Sequence, residues 1–147
     1  MRSYKKRSVA PALNNSRGPS SGDARRLADF LAHAEEPAKG KARGRTNAQR
    51  FWEKVAKTPG CWFWTGSHNR FGYGHFAWRG WVLKAHRVAY ALTHGVPPQG
   101  LLVCHTCDCR PCVNPAHLWI ATNEENLRDM VKKGRHPETV LRLTRTA

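Results

Sequence analysis

Between Val103 and Asn126 the chain reads VCHTCDCRPCVNPAHLWIATNEEN, which holds four of its five cysteines and two of its eight histidines. Cys107, Cys112 and His117 follow one another with four residues in each gap, and His105 stands two residues before Cys107. Thiolate and imidazole are the preferred donors of tetrahedral structural zinc sites. Pro111 and Pro115 stiffen the segment that carries these three. A fourth donor has to come from Cys61, Cys104 or Cys109. Cys109 is crowded against Cys107, and Cys104 would put ligands on both sides of His105. Cys61 follows Gly60 at the start of an expected strand, can arrive from outside the loop, and is favoured. The alternative is a set of ordinary buried thiols with a core histidine.

The cysteine count also bears on compartment. Five is an odd number for a closed disulfide framework. The N-terminal MRSYKKRSVAPALNNSRGPSSG lacks the apolar middle of a secretion signal. A reducing cytoplasm is therefore expected, where clustered cysteines more often bind metal than form disulfides. No run of about 20 apolar residues is present, so no membrane span is expected. The net charge of +15 and the pI near 10.4 favour a polyanionic partner, with nucleic acid first among them. Charge does not separate DNA from RNA, or binding from cutting.

Residues 1–45 read as a basic, disordered tail, with eleven Lys or Arg against four Asp or Glu and few large apolar residues. Within it, Asp23 to His33 can form a short helix with Leu27, Phe30 and Leu31 on one face. Order is expected from Thr46, with Asn47 capping a helix to about Lys57 that places Phe51 and Val55 on one face. Thr58-Pro59-Gly60 ends that helix, and Cys61–Gly66 alternates like a strand. Tyr73–Trp78 and Trp81–Leu83 read as strands joined by Arg79-Gly80. Lys84–His94 reads as a helix whose apolar stripe is Ala85, Val88, Ala89 and Leu92, with His86 and Arg87 off it. Gly95 and Pro97-Pro98 stop it. Leu101–Cys104 and Leu118–Ile120 are short strands. Thr122 or Asn123 caps a helix to about Lys133, with Leu127, Met130 and Val131 as its packed face. Residues 136–147 read as a basic C-terminal tail, so the expected domain spans 46–135.

His105 and Asn126 are not needed for zinc. A histidine ending a strand beside a rigid metal loop can act as a general base. An amide oxygen on the first turn of the next helix can bind a hard cation. A hydrogen-bonding role for each is the plainer reading.

The segment VCHTCDCRPCVNPAHLWIATNEENLRDMVKKGR resembles the zinc-bearing HNH endonucleases common in bacteriophages. CWFWTG, GYGHF and AHRVAY resemble the segments that precede the site in that family. The Cys–x4–Cys–x4–His run with an asparagine nine residues later is also similar to the His-Cys box homing endonucleases. The resemblance implies an α+β fold: a small ββα-metal (His-Me finger) domain, preceded by a β-hairpin and helices, with a structural zinc. It implies His105 as general base, Asn114 as the residue that holds the loop and helps orient His105, and Asn126 as ligand of a catalytic Mg²⁺ or Mn²⁺. It implies Cys61, Cys107, Cys112 and His117 as zinc ligands, and Arg87 as an extra phosphate contact. Two positions depart from the family. Cys104 stands where many members carry an acidic or amide metal ligand. Cys109 stands in a stretch that relatives often write CDNPxC.

The implied activity is hydrolysis of phosphodiester bonds in double-stranded DNA to 5′-phosphate and 3′-hydroxyl ends, in the cytoplasm of a bacterial host, with a homodimer left open. The competing reading is a catalytically inactive zinc module that binds DNA and needs neither His105 nor Asn126.

Overall fold

In a computed structural model of the chain, residues 21–40 and 44–136 are described. They form a small α+β arrangement of short hairpins and helices. Helix α1 (Ser21–Ala32) comes first, then helix α2 (Asn47–Trp52) and the strand pair β1 (Val55–Ala56) and β2 (Phe63–Trp64). A hairpin of β3 (His75–Trp78) and β4 (Trp81–Lys84) leads directly into helix α3 (Ala85–His94). A second hairpin, β5 (Leu102–His105) and β6 (Leu118–Ala121), is closed by a loop with one 3-10 turn at Pro115–His117 and followed by helix α4 (Asn123–Lys132).

The core is mostly aromatic. Phe30 of α1 meets Phe76 and Trp78 of β3 edge-on, with ring centres 5.5 and 5.1 Å apart. Phe51 of α2 packs edge-on to Phe76 and is stacked on Trp64, at 5.3 and 5.0 Å. Leu27 of α1, Leu83 of β4, Val88 and Ala89 of α3, Val103 of β5 and Val113 also belong to it. Gly74 lets the β3 end approach Trp64, because a Cβ there would lie 2.5 Å from the indole and 2.9 Å from the Ala85 methyl.

Several expectations are corrected. The disordered tail does not extend to residue 45: Leu27 and Phe30 of α1 are buried, and Asp29 accepts from the Trp78 indole N–H at 3.0 Å. The apolar face of α1 is short, but it lands on a ready-made aromatic surface. Residues 1–20, 41–43 and 137–147 lie outside the described residues, and with them most of both expected tails. The helix expected from residue 47 to 57 ends at Trp52, and Val55–Ala56 pairs with β2 instead. Its cap is Thr46, which forms a reciprocal capping box with Gln49. Asn47 donates from its side-chain amide to the carbonyls of His33 and Glu36 and so fastens the chain after α1.

His86 and Arg87 are off the apolar stripe of α3 yet buried, each 5% exposed, because neighbouring elements cover that side too. Helix α4 has no buried residue, and Leu127 and Val131 are each 45% exposed. It does not dock through an apolar face. It is capped by Thr122 and Glu125, and its end is tied by Lys133 and Arg135, both paired with Asp129 of α4 and with Asp108 of the cysteine loop.

Candidate active site and metal centre

The Cys107–His117 loop is fixed from two sides. The β5–β6 ladder pairs Cys104 with Trp119 and His105 with Leu118, and Thr106 N–H continues it to the His117 carbonyl at 2.9 Å. On the other side Trp64 N–H donates to the Pro111 carbonyl and Val113 N–H to the Trp62 carbonyl, at 2.9 and 2.8 Å. That second ladder brings the residues around Cys61 alongside Cys112 across 51 positions of sequence.

The outcome is a cluster of Cys61, Cys107, Cys112 and His117, whose ligand atoms all lie within 4.8 Å of one another. His117 presents Nδ1 at 3.6 Å from both the Cys61 and the Cys112 sulfur. Tetrahedral bond lengths of about 2.3 Å to sulfur and about 2.0–2.1 Å to nitrogen give a nitrogen–sulfur edge of about 3.6 Å, so the donor set fits zinc. Burial raises the Cys61 thiol to about 11 and the Cys112 thiol to about 12. Both stay protonated at neutral pH without a cation, so metal binding must release protons. Cys104 and Cys109 stay outside the cluster.

His105 closes β5 at the edge of this loop. Its Nε2 lies 2.8 Å from the Cys112 carbonyl. A carbonyl only accepts, so Nε2 carries the proton, and the neutral ring keeps its lone pair on Nδ1. Burial holds the His105 pKa below its usual value, against the opposing effect of that hydrogen bond. Asn114 makes no hydrogen bond to His105 among the described residues. Its amide donates to the Gly60 carbonyl at 2.8 Å, its oxygen accepts from Ala116 N–H at 3.0 Å, and its backbone N–H points at the Cys112 sulfur at 3.4 Å. It therefore braces the cysteine loop, and its backbone N–H meets the residue whose carbonyl holds His105.

Asn126, in the first turn of α4, reaches back to the hairpin, and its Oδ1 accepts from the Cys104 thiol at 3.3 Å. Cys104 is itself raised to about 11 by burial, so this thiol is a proton donor at neutral pH. Arg87 is buried, and its Nε finds no hydrogen-bond partner among the described residues. Burial lowers its pKa, while Asp23 and Cys104 favour its charged form.

Sequence reasoning missed two participants, His86 and the Cys112 carbonyl. His86 lies with its ring centre 4.9 Å from that of His105 and 5.4 Å from that of Tyr73. Burial, then the neighbouring His105, Lys84 and Arg87, hold it neutral well below the usual histidine range. The helical pattern of α3 gave no sign of this, because it marks one face while the fold covers two. The Cys112 carbonyl is a backbone group and leaves no trace in residue type. Asp108, with φ at 56°, joins the loop to α4 through Lys133 and Arg135.

A family model described as HNH endonuclease matches residues 83–128, from the end of β4 into α4. The similarity to HNH endonucleases is confined to residues 83–128. The matched segment carries Arg87, His105, Cys107, Cys112, Asn114, His117 and Asn126, while Cys61 lies before it. Among curated proteins the chain is similar to two proteins of Escherichia phage T7. Protein 2.8 is 42% identical over 91 residues, covering 59% of this chain and 61% of the relative. Protein 7.7 is 43% identical over 75 residues, covering 51% of this chain and 58% of the relative. The chain thus spans about three fifths of the length of these relatives. No solved structure matches it. No helix among the described residues is long and apolar enough to cross a membrane.

Proposed function

We propose that this HNH protein is a metal-dependent DNA endonuclease that hydrolyses phosphodiester bonds to 5′-phosphate and 3′-hydroxyl ends. The observation that carries this reading is the fixed tautomer of His105. Its Nε2 is committed to the Cys112 carbonyl, and its Nδ1 is neither engaged by another group nor sealed from solvent among the described residues. In this role His105 Nδ1 takes a proton from the water that attacks phosphorus, and the bond from phosphorus to the 3′ oxygen breaks in line. His105 keeps its proton until solvent removes it, and the 3′ oxygen is protonated from solvent.

Asn126 would hold the catalytic ion. One amide oxygen is a sparse donor set, but Mg²⁺ normally keeps several waters and is completed by substrate phosphate oxygens. When bound, such an ion supplies charge stabilisation for the crowded phosphorus and the leaving oxygen. The Cys104 thiol would have to give up its hydrogen bond to the same oxygen. Arg87, with a buried guanidinium nitrogen that lacks a partner, suits an incoming phosphate oxygen. Cys61, Cys107, Cys112 and His117 would hold zinc as a structural clamp. The phage relatives support action in the cytoplasm of a bacterial host.

Plasmid cleavage with Mg²⁺ or Mn²⁺ tests the proposal, with zinc-loaded parent and His105→Ala compared. Loss of a general base should slow cutting by about 100- to 10,000-fold. If neither protein cuts, or both cut equally, the nuclease reading fails and the zinc-bearing DNA-binding module takes its place.

A further inference from the structure

The chain between Ser67 and Gly74 is a tight loop organised by Asn69. The Asn69 side-chain oxygen accepts from the backbone N–H groups of Phe71 and Tyr73, each at 3.0 Å, and its own N–H donates to the Tyr73 carbonyl at 2.9 Å. Arg110 reaches over from the cysteine loop and donates from Nη1 to the Phe71 carbonyl at 2.9 Å. Its stem runs along Gly72, where a Cβ would lie 3.9 Å from the Arg110 Cβ. The guanidinium carbon of Arg110 then stands 5.7 Å from the centre of the Tyr73 ring, and the Lys84 ammonium stands 5.9 Å from the same centre. Tyr73 in turn lies 6.3 Å from the His105 ring.

Two cations therefore flank one aromatic ring beside His105. Among the described residues neither has a carboxylate within salt-bridge distance, whereas Arg45, Arg79, Arg128, Lys133 and Arg135 are all paired. Arg110 is also held in place, so its charge is positioned before any ligand arrives. A strand advances about 3.4 Å per nucleotide, which puts the Arg110 guanidinium within about four nucleotides of His105. Arg70, 4.6 Å over the half-exposed Phe71 ring, extends the same surface outward.

We propose that Lys84 and Arg110, spaced by Tyr73, grip the DNA backbone phosphates that flank the bond facing His105. This rests on the nuclease reading for its substrate, and it adds a positioning surface built by the Asn69 loop and a residue of the metal loop.

The test is equilibrium binding of the full chain, zinc-loaded and carrying His105→Ala, to labelled duplex DNA over a range of salt concentrations. Lys84→Ala with Arg110→Ala should weaken binding and lower the slope of log K against log salt by about 1.8, at about 0.9 for each phosphate left without its cation. Arg45→Ala with Arg128→Ala removes equal charge from paired positions and should leave the slope in place. Lys84→Ala alone, outside the metal loop, should lower it by about 0.9, and zinc content checks that the Arg110 variant keeps its loop. An unchanged slope in both the double and the single variant overturns the grip, as does a parent that does not bind DNA. Cleavage by the His105-intact protein is read separately: steep, Lys84- and Arg110-dependent binding without cutting supports the grip and removes the nuclease reading.

Discussion

His105 donates from Nε2 to the carbonyl of Cys112, 2.8 Å away, and the sulfur of that same Cys112 belongs to the four-donor metal cluster. The candidate base and the candidate structural metal thus share one residue. The side chain of Cys112 belongs to one candidate site and its backbone carbonyl holds the ring of the other, so in the proposed nuclease the metal loop would bear on catalysis without contact with substrate.

Cys112→Ser should remove about one zinc per chain and lower cleavage together, because the loop that positions His105 loses its clamp. Cys109→Ser and Cys104→Ser should retain the zinc, since both lie outside the cluster. Metal analysis by mass spectrometry reads all three variants. Retention of zinc in Cys112→Ser would contradict the ligand set.

The pH profile should be displaced toward acid. As the proposed general base His105 would act only when neutral, and burial lowers its pKa from the ordinary value of about 6.5. As pH falls, the base stays neutral through 6.5 and is lost only as pH drops through the lower folded value. A bound cation at Cys107 would push in the same direction. The measurement is kcat/KM from pH 5 to 8, and an acid limb centred above about 6.5 would contradict it.

Phe30→Ala should cost about 3–5 kcal/mol in a denaturant titration, since Phe30 is fully buried between Phe76 and Trp78. The size of the effect decides whether α1 belongs to the domain. A change below about 0.5 kcal/mol is what a dispensable arm would give.

Leu127→Ala should change stability by less than about 0.5 kcal/mol, because Leu127 is 45% exposed on α4. Asp108→Ala should do more to α4 than Leu127→Ala, because it removes the carboxylate shared by Lys133 and Arg135. Hydrogen exchange along residues 123–133 compares the two.

The sequence by itself determined the local elements and the chemistry of the loop. Spacing picked out Cys107, Cys112 and His117, and the strand that ends at His105 and the capped helix that carries Asn126 were legible because caps, turns and short-range periodicity are local properties. Cys61 was legible as the favoured of three candidates, but what brings it in, the pairing of Trp62 and Trp64 with Val113 and Pro111 across the chain, was not.

The tertiary structure alone decided which faces are covered. Pattern marked α1 as marginal and α4 as packed, and the fold reversed both: the aromatic surface of β3 was waiting for Phe30, and nothing among the described residues covers Leu127 and Val131. It also decided that His86 and Arg87 are buried against the site, that the Cys112 carbonyl orients His105, and that Arg110 meets Tyr73. Apart from the His105–Cys112 bond, whose partners stand seven residues apart in one loop, each of these is a contact between segments far apart in sequence, and all are set by packing and backbone pairing rather than by residue type.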